Sequence, residues 1–189
     1  MRIAYVCADP GIPVFGCKGC SVHVQEVLRE LVRRGHGVEL LAMRIGGVAP
    51  ADLTDVRVHP IPVAAAADRR ERELALHKAN NVVRQWLATL GPCDLVYERH
   101  ALFASAAMPW AADTGTPSVL EVNAPLLAEQ AKYRGLVHDD LAVAAAHASL
   151  ALAGTVAAVS KGVAEYAIQL RGSRAGVLVV PNGVDPRRF

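Results

Sequence analysis

Phe15-Gly16-Cys17-Lys18-Gly19-Cys20-Ser21-Val22-His23-Val24 is a glycine loop set between two segments of different hydrophobic period. Before it, Ile3-Ala4-Tyr5-Val6-Cys7-Ala8 is a short apolar run of the kind that lies buried on both faces of a parallel sheet. After it, Val24, Val27, Leu28, Leu31 and Val32 recur at helical spacing and draw one apolar stripe along an amphipathic helix. The loop therefore reads as a strand-to-helix turn, with Ser21 expected as the N-cap and Gly35 expected to end the helix in a left-handed conformation. A helix N-terminus carries free N–H groups and partial positive charge, and glycines let an anion approach the backbone closely. An anion or a sugar phosphate is the first ligand to expect there.

The same alternation continues down the chain. Gly37–Met43 and Val56–His59 read as strands, the latter closed by Pro60 and Pro62, which cannot donate to a ladder. Ala64–Ala67 and the charged run Asp68–Glu73 open a helical region whose second half carries the stripe Val82, Val83, Trp86, Leu87 and Leu90. Gly91-Pro92 ends it. Asp94–Glu98 is a fourth strand, followed by a helix expected around Leu102–Ala112; Ser118–Val122 is a fifth, followed by helix from Leu126 to Ala153 with a break near Gly135. Thr155–Val159, a helix capped by Ser160, and Val177–Val180 complete the series. Strand and helix alternating in this way give a Rossmann-like, doubly wound α/β fold: a mostly parallel sheet with helices on both faces, in one domain over residues 1–189. Such sheets bind ligands outside the carboxyl ends of their strands. Asp9, Gly16–His23, Arg99-His100, Glu121–Asn123, Ser160-Lys161 and Asn182-Gly183 all fall on that edge. Taken singly they have plain structural readings, Asn182-Gly183 as a turn dipeptide and His100 as a strand-end surface residue. Their shared edge is what points to a site.

Composition excludes several classes. With 189 residues, 52% hydrophobic and 20% charged, the chain can bury a core of its own. Twenty basic residues against 18 acidic leave a net charge of +2, too weak a field for nucleic-acid binding. Met1-Arg2-Ile3 enters a strand directly and no apolar run reaches spanning length, so a cytoplasmic protein is expected. The run with Arg69, Arg70 and Arg72 reads as a solvated face, offering at most weak contact with a membrane surface. Cys7, Cys17, Cys20 and Cys93 make no disulfide framework. Cys17-Lys18-Gly19-Cys20 has the spacing of a redox pair or, with Cys7 and His23, part of a zinc site; lacking a second pair of familiar spacing, it reads as small residues in a glycine loop, and no metal is expected.

Several segments resemble the retaining glycosyltransferases of GT-B fold and family 4 type. Lys18-Gly19-Cys20-Ser21-Val22-His23-Val24 resembles the first glycine loop of that family and Val96-Tyr97-Glu98-Arg99 its fourth-strand motif. Leu120-Glu121-Val122-Asn123-Ala124-Pro125-Leu126 and Ala158-Val159-Ser160-Lys161 resemble two more segments, and Val179–Phe189, with Pro181-Asn182-Gly183-Val184-Asp185, is the strongest likeness. The resemblance runs over the whole chain in order. It implies two Rossmann-like domains facing across a cleft, the N-terminal one binding the acceptor and the C-terminal one holding the donor. Asn182, Gly183 and Asp185 would mark the junction, so residues 181–189 would begin the passage to a missing donor-binding domain. The implied reaction moves a sugar from a nucleoside diphosphate sugar, a co-substrate rather than a tightly bound cofactor, to a hydroxyl of a small-molecule, glycan or lipid acceptor with retention. Gly19 and Cys20 would approach the donor phosphates, Cys20 standing where many relatives have a second glycine. His23, Glu121 and Asn123 would contact acceptor or sugar, and His100 with Arg99 would be the catalytic-site candidates. Glu121 and Glu129 copy the spacing of the family's donor-side glutamate pair, but Glu121 belongs to the first-domain motif.

Two other readings compete. A nicotinamide-binding Rossmann domain would want G-x-G-x-x-G directly after the first strand and an acidic residue ending the second. Here Gly16 and Gly19 stand alone and the second strand runs into Ala42-Met43-Arg44. A stand-alone carbohydrate- or partner-binding domain is the non-catalytic alternative.

Overall fold

The computed structural model describes residues 1–183. Among these residues, seven strands form one all-parallel sheet: β1 (Arg2–Cys7), β2 (Gly37–Ala42), β3 (Arg57–Pro60), β4 (Leu95–Arg99), β5 (Ser118–Val122), β6 (Thr155–Ala158) and β7 (Val177–Val179), in the order β3-β2-β1-β4-β5-β6-β7. The helices are α1 (Gly19–Arg33), α2 (Arg69–Lys78), α3 (Asn80–Leu90), α4 (Ala107–Thr114), α5 (Leu126–Tyr133), α6 (Asp139–Leu152) and α7 (Lys161–Arg171).

Strand order and crossover handedness together decide where the helices lie. From β1 the chain steps outward to β2 and β3; from β3 it crosses back over the sheet to β4 and then steps the other way. Because parallel crossovers are right-handed, the two directions place their helices on opposite faces. Accordingly α1 packs on one face, over Tyr5, Cys7, Leu40 and Ala42, while α3, α4, α6 and α7 share a second apolar cluster with Val6, Val96, Leu120 and Val156 on the other. The reversal falls between β1 and β4, the place where doubly wound sheets bind ligands in a crevice at the carboxyl ends of the strands.

Strand register sets out the floor of that crevice. Cys7 pairs with Arg99, Arg99 with Glu121, and Glu121 with Ala157, so these side chains form one row across the sheet on the α1 face. Tyr5, Tyr97 and Val119 form the next row back. With α1 lying over β1 and β2, Arg99 and Glu121 emerge just past its edge.

Several local expectations change. Lys18, not Ser21, is the N-cap of α1; Ser21 is buried inside the first turn, and its hydroxyl has no hydrogen-bond partner among the described residues. The helix begins at Gly19 because Lys18 is the last residue with extended backbone. The helix expected from Leu102 starts only at Ala107, since Phe103 adopts a left-handed φ of 68° and breaks the run of alanines. Gly35 does take its expected left-handed φ, 77°.

Candidate active site at the β1–β4 crevice

Five side chains converge where α1 meets the ends of β4 and β5. Glu121, with a side chain only 5% exposed, sits at the centre. Its Oε1 accepts from His23 Nε2 at 2.8 Å and from Arg99 Nη1 at 2.8 Å, and also from the Asn123 amide. Its Oε2 accepts from the Tyr97 hydroxyl at 2.5 Å. Burial works to protonate this carboxyl, but the donors from His23, Tyr97 and Asn123 outweigh it and hold its pKa down to about 2. Tyr97 in turn stacks on Tyr5, ring centroids 5.1 Å apart and 12° from parallel, so the phenol is held from both ends.

The sequence-predicted residues separate into those the fold gathers and those it does not. His23, Arg99, Glu121 and Asn123 form this one cluster. Gly19 and Cys20 open α1 one turn before His23; Cys20 is half-buried against the apolar cluster beneath α1, and a Cβ built on Gly19 would meet no heavy atom of the described residues within 4 Å. His100 points elsewhere. Its backbone N–H donates to the Glu121 carbonyl at 2.8 Å, but its ring is buried, burial lowers its pKa to about 4, and its Nδ1 has no partner among the described residues. Asn182 and Gly183 are exposed beyond β7, and Asp185 lies outside the described residues. Cys17 and Cys20 are free thiols, and among the described residues no group of three or more His, Cys, Asp or Glu is placed to hold a metal ion.

Two residues that the sequence reading passed over help build the site. Tyr97 follows from strand periodicity alone, because residues two apart on β4 share a face with Arg99. Asn80 carries no such signal. Its side chain donates to the Phe103 carbonyl at 2.8 Å and accepts from Ser105 N–H at 2.8 Å, clamping the loop that leaves β4 across 23 residues of sequence.

The loop after β1 is zipped to the loop after β2 by Val14 N–H to Arg44 carbonyl at 3.0 Å and Phe15 N–H to Ile45 carbonyl at 2.7 Å. Gly46 is required there, since a Cβ would lie 2.9 Å from Pro13. β2 ends in Ala42, without the acidic residue by which a nicotinamide-binding domain holds its ribose.

The Glycosyltransferase Family 4 model matches residues 18–188. The chain belongs to glycosyltransferase family 4. Among solved structures, HepE of Anabaena in complex with UDP and glucose is 18% identical with a TM-score of 0.60, over 98% of this chain and 45% of HepE. The lipopolysaccharide outer core galactosyltransferase WaaB is 17% identical with a TM-score of 0.59, over 98% of this chain and 46% of WaaB. A sucrose-phosphate synthase structure from Thermosynechococcus elongatus is 13% identical with a TM-score of 0.60, covering 98% of this chain and 91% of that one. These likenesses show a shared Rossmann-like α/β fold, and this family 4 chain spans less than half the length of HepE and WaaB. No curated protein matches it. Among the described residues no helix is long and apolar enough to cross a membrane.

On the opposite sheet face from Arg99, Glu98 is fully buried, its Oε2 has no partner among the described residues, and burial pushes its pKa up to about 8. The folded state thus keeps a proton that the unfolded chain releases near the usual carboxylate pKa, about 4.3. Stability from this group is full below the unfolded value and is lost as pH rises through about 8. Buried His100 acts in the other direction, its neutral ring costing stability as pH falls toward about 4. Comparing Glu98→Gln with the parent isolates the first effect. The variant is expected to gain on the parent in urea-unfolding free energy between pH 5 and 8, and parallel pH profiles would refute a buried, protonated Glu98.

Proposed function

We propose that this chain is the acceptor-binding half of a retaining glycosyltransferase that moves a sugar from a nucleoside diphosphate sugar to an acceptor hydroxyl. The observation that carries the reading is the Glu121-centred cluster lying one helical turn from the open N-terminus of α1, at the one place where the strand order reverses. That arrangement puts an anion site and a set of polar side chains suited to sugar hydroxyls side by side. Membership of family 4 supports glycosyl transfer, and coverage of less than half of HepE and WaaB supports a second, donor-holding half as partner.

In this reading the acceptor lies in the crevice against His23, Asn123 and the free edge of Arg99. The donor reaches in from the facing half with its diphosphate toward Gly19 and Cys20. As the bond from the anomeric carbon to the diphosphate breaks, negative charge grows on the departing oxygen, and the N–H groups opening α1 stabilise it without reorganising. The reaction needs no tightly bound cofactor, and the protein works in the cytoplasm, where nucleotide sugars are made.

The isolated chain, holding one wall of the cleft, is expected to show no transfer from labelled nucleotide sugars to a panel of acceptors and little thermal shift with nucleoside diphosphates. Robust transfer by the 189-residue chain would overturn the half-enzyme reading.

A further inference from the structure

We infer that Glu121 touches no substrate but fixes the tautomer of His23, whose Nδ1 accepts the proton of the attacking acceptor hydroxyl. The identity of that hydroxyl rests on the glycosyltransferase reading; everything else rests on the geometry of the cluster.

An ionised carboxylate offers about four lone-pair positions. Here His23, Arg99 and Asn123 crowd onto Oε1, more donors than its own lone pairs, and the Tyr97 hydroxyl takes one position on Oε2. With its side chain 5% exposed and four protein donors around it, Glu121 is closed off from a sugar hydroxyl by burial. Its work is done on its neighbours. A carboxylate held ionised can only accept, so the His23 nitrogen facing it must carry the hydrogen. In the neutral ring that leaves Nδ1 with a bare lone pair. Nδ1 makes no hydrogen bond to the described residues, and the His23 side chain remains 18% exposed. A hydroxyl-hydrogen acceptor thus stands at the edge of the crevice, oriented by an anion behind it. This is the division of labour by which a buried carboxylate orients a histidine base in nucleophilic enzymes generally.

The position of His23 also bears on stereochemistry. It follows Gly19 by four residues, so it lies on the same side of α1 about one 5.4 Å turn along. A hydroxyl held by Nδ1 would sit beside the departing diphosphate, on the face of the sugar that the diphosphate leaves. The hydroxyl O–H bond breaks, its proton passes to Nδ1, and the oxygen lone pair forms the bond to the anomeric carbon. The bond to the diphosphate breaks with its electron pair going to the leaving oxygen. The imidazolium, stabilised by Glu121, then returns the proton to the diphosphate or to water. Attack and departure from one face retain configuration.

The nitrogen spectrum of the histidine rings tests the first half directly in the 189-residue chain. At mildly alkaline pH, the His23 ring, assigned by its disappearance in His23→Gln, is expected to show a protonated Nε2 and a bare Nδ1. A protonated Nδ1 would overturn the inference. In the enzyme carrying both halves, His23→Ala is expected to lower kcat by about 10²–10⁴-fold. Glu121→Gln keeps an oxygen for His23 but loses the charge, and is expected to lower kcat about 10- to 100-fold, as removal of an orienting partner does, with acceptor KM unchanged. A raised acceptor KM at constant kcat would make Glu121 a sugar ligand and overturn the assignment. If the two-domain enzyme transfers no sugar at all, the glycosyltransferase reading falls together with the hydroxyl role of His23, whereas the tautomer stands or falls on the spectrum alone.

Discussion

Replacing Glu121 by alanine is expected to lower the unfolding free energy by about 3–5 kcal/mol, the cost of removing one partner from a buried ion pair. Arg99, its side chain 10% exposed, would be left with its charge and without the carboxylate 2.8 Å away. Tyr97 would lose the acceptor for a hydroxyl held against the Tyr5 ring. Against the roughly 5–15 kcal/mol that typically holds a domain together, such a loss is large. The pH dependence has a definite sign. The folded carboxyl titrates near 2 because its donors outweigh its burial, so its contribution is present above the unfolded pKa and fades as pH falls toward 2. Urea unfolding of parent and variant should therefore differ most above pH 5 and converge in acid. A difference under about 1 kcal/mol at neutral pH would mean that water or a rearranged Arg99 replaces the carboxylate, and that the cluster does not behave as one buried unit.

Much of the fold is legible in the chain because its signals are local. Apolar runs such as Ile3–Ala8 and the stripe from Val24 to Val32 each name an element, and strict alternation leaves little choice but a doubly wound sheet. The parallel register that makes Arg99 and Glu121 neighbours is not local, yet their common place at strand ends already put them on one edge. What the sequence could not show was what packs over each side chain once the loops begin. His100 follows Arg99 directly, and its N–H continues the β4–β5 ladder. Alternation therefore sends its ring to the other side from Arg99, where burial depends on what the next loop packs over it. That loop has Phe103 in a left-handed conformation and is held by Asn80, a residue from another helix. Non-glycine residues with positive φ cost of order 1–3 kcal/mol and survive where surrounding contacts over-determine them. Neither the strain nor the clamp leaves a mark on the chain near His100. Ser21 fails as a cap for a related reason: capping residues are recognised by type, but which one precedes the first helical turn depends on where the loop from Pro13 to Lys18 lets the helix begin.

Substituting valine for Gly19 is expected to leave the fold intact and to reduce sugar transfer by the two-domain enzyme by at least about 10²-fold, comparable to loss of an oxyanion-type donor. The structural side follows from packing. Gly19 does not have positive φ, and a Cβ there meets no described atom within 4 Å, so a side chain fits without displacing protein. The propensity cost is also small, because glycine is itself a poor helix residue. Thermal midpoints of parent and variant should agree within a few degrees. The functional side follows from the same emptiness. The open space in front of Gly19 borders N–H groups that have no helical partner, and a branched side chain would occupy the volume a phosphate needs to reach them. Gly19→Ala serves as the graded control, since one methyl intrudes less than three carbons do. Donor KM should rise from alanine to valine while the melting curves stay together. Full activity in the valine variant would place the diphosphate away from α1 and leave the free space at Gly19 without a role in the reaction.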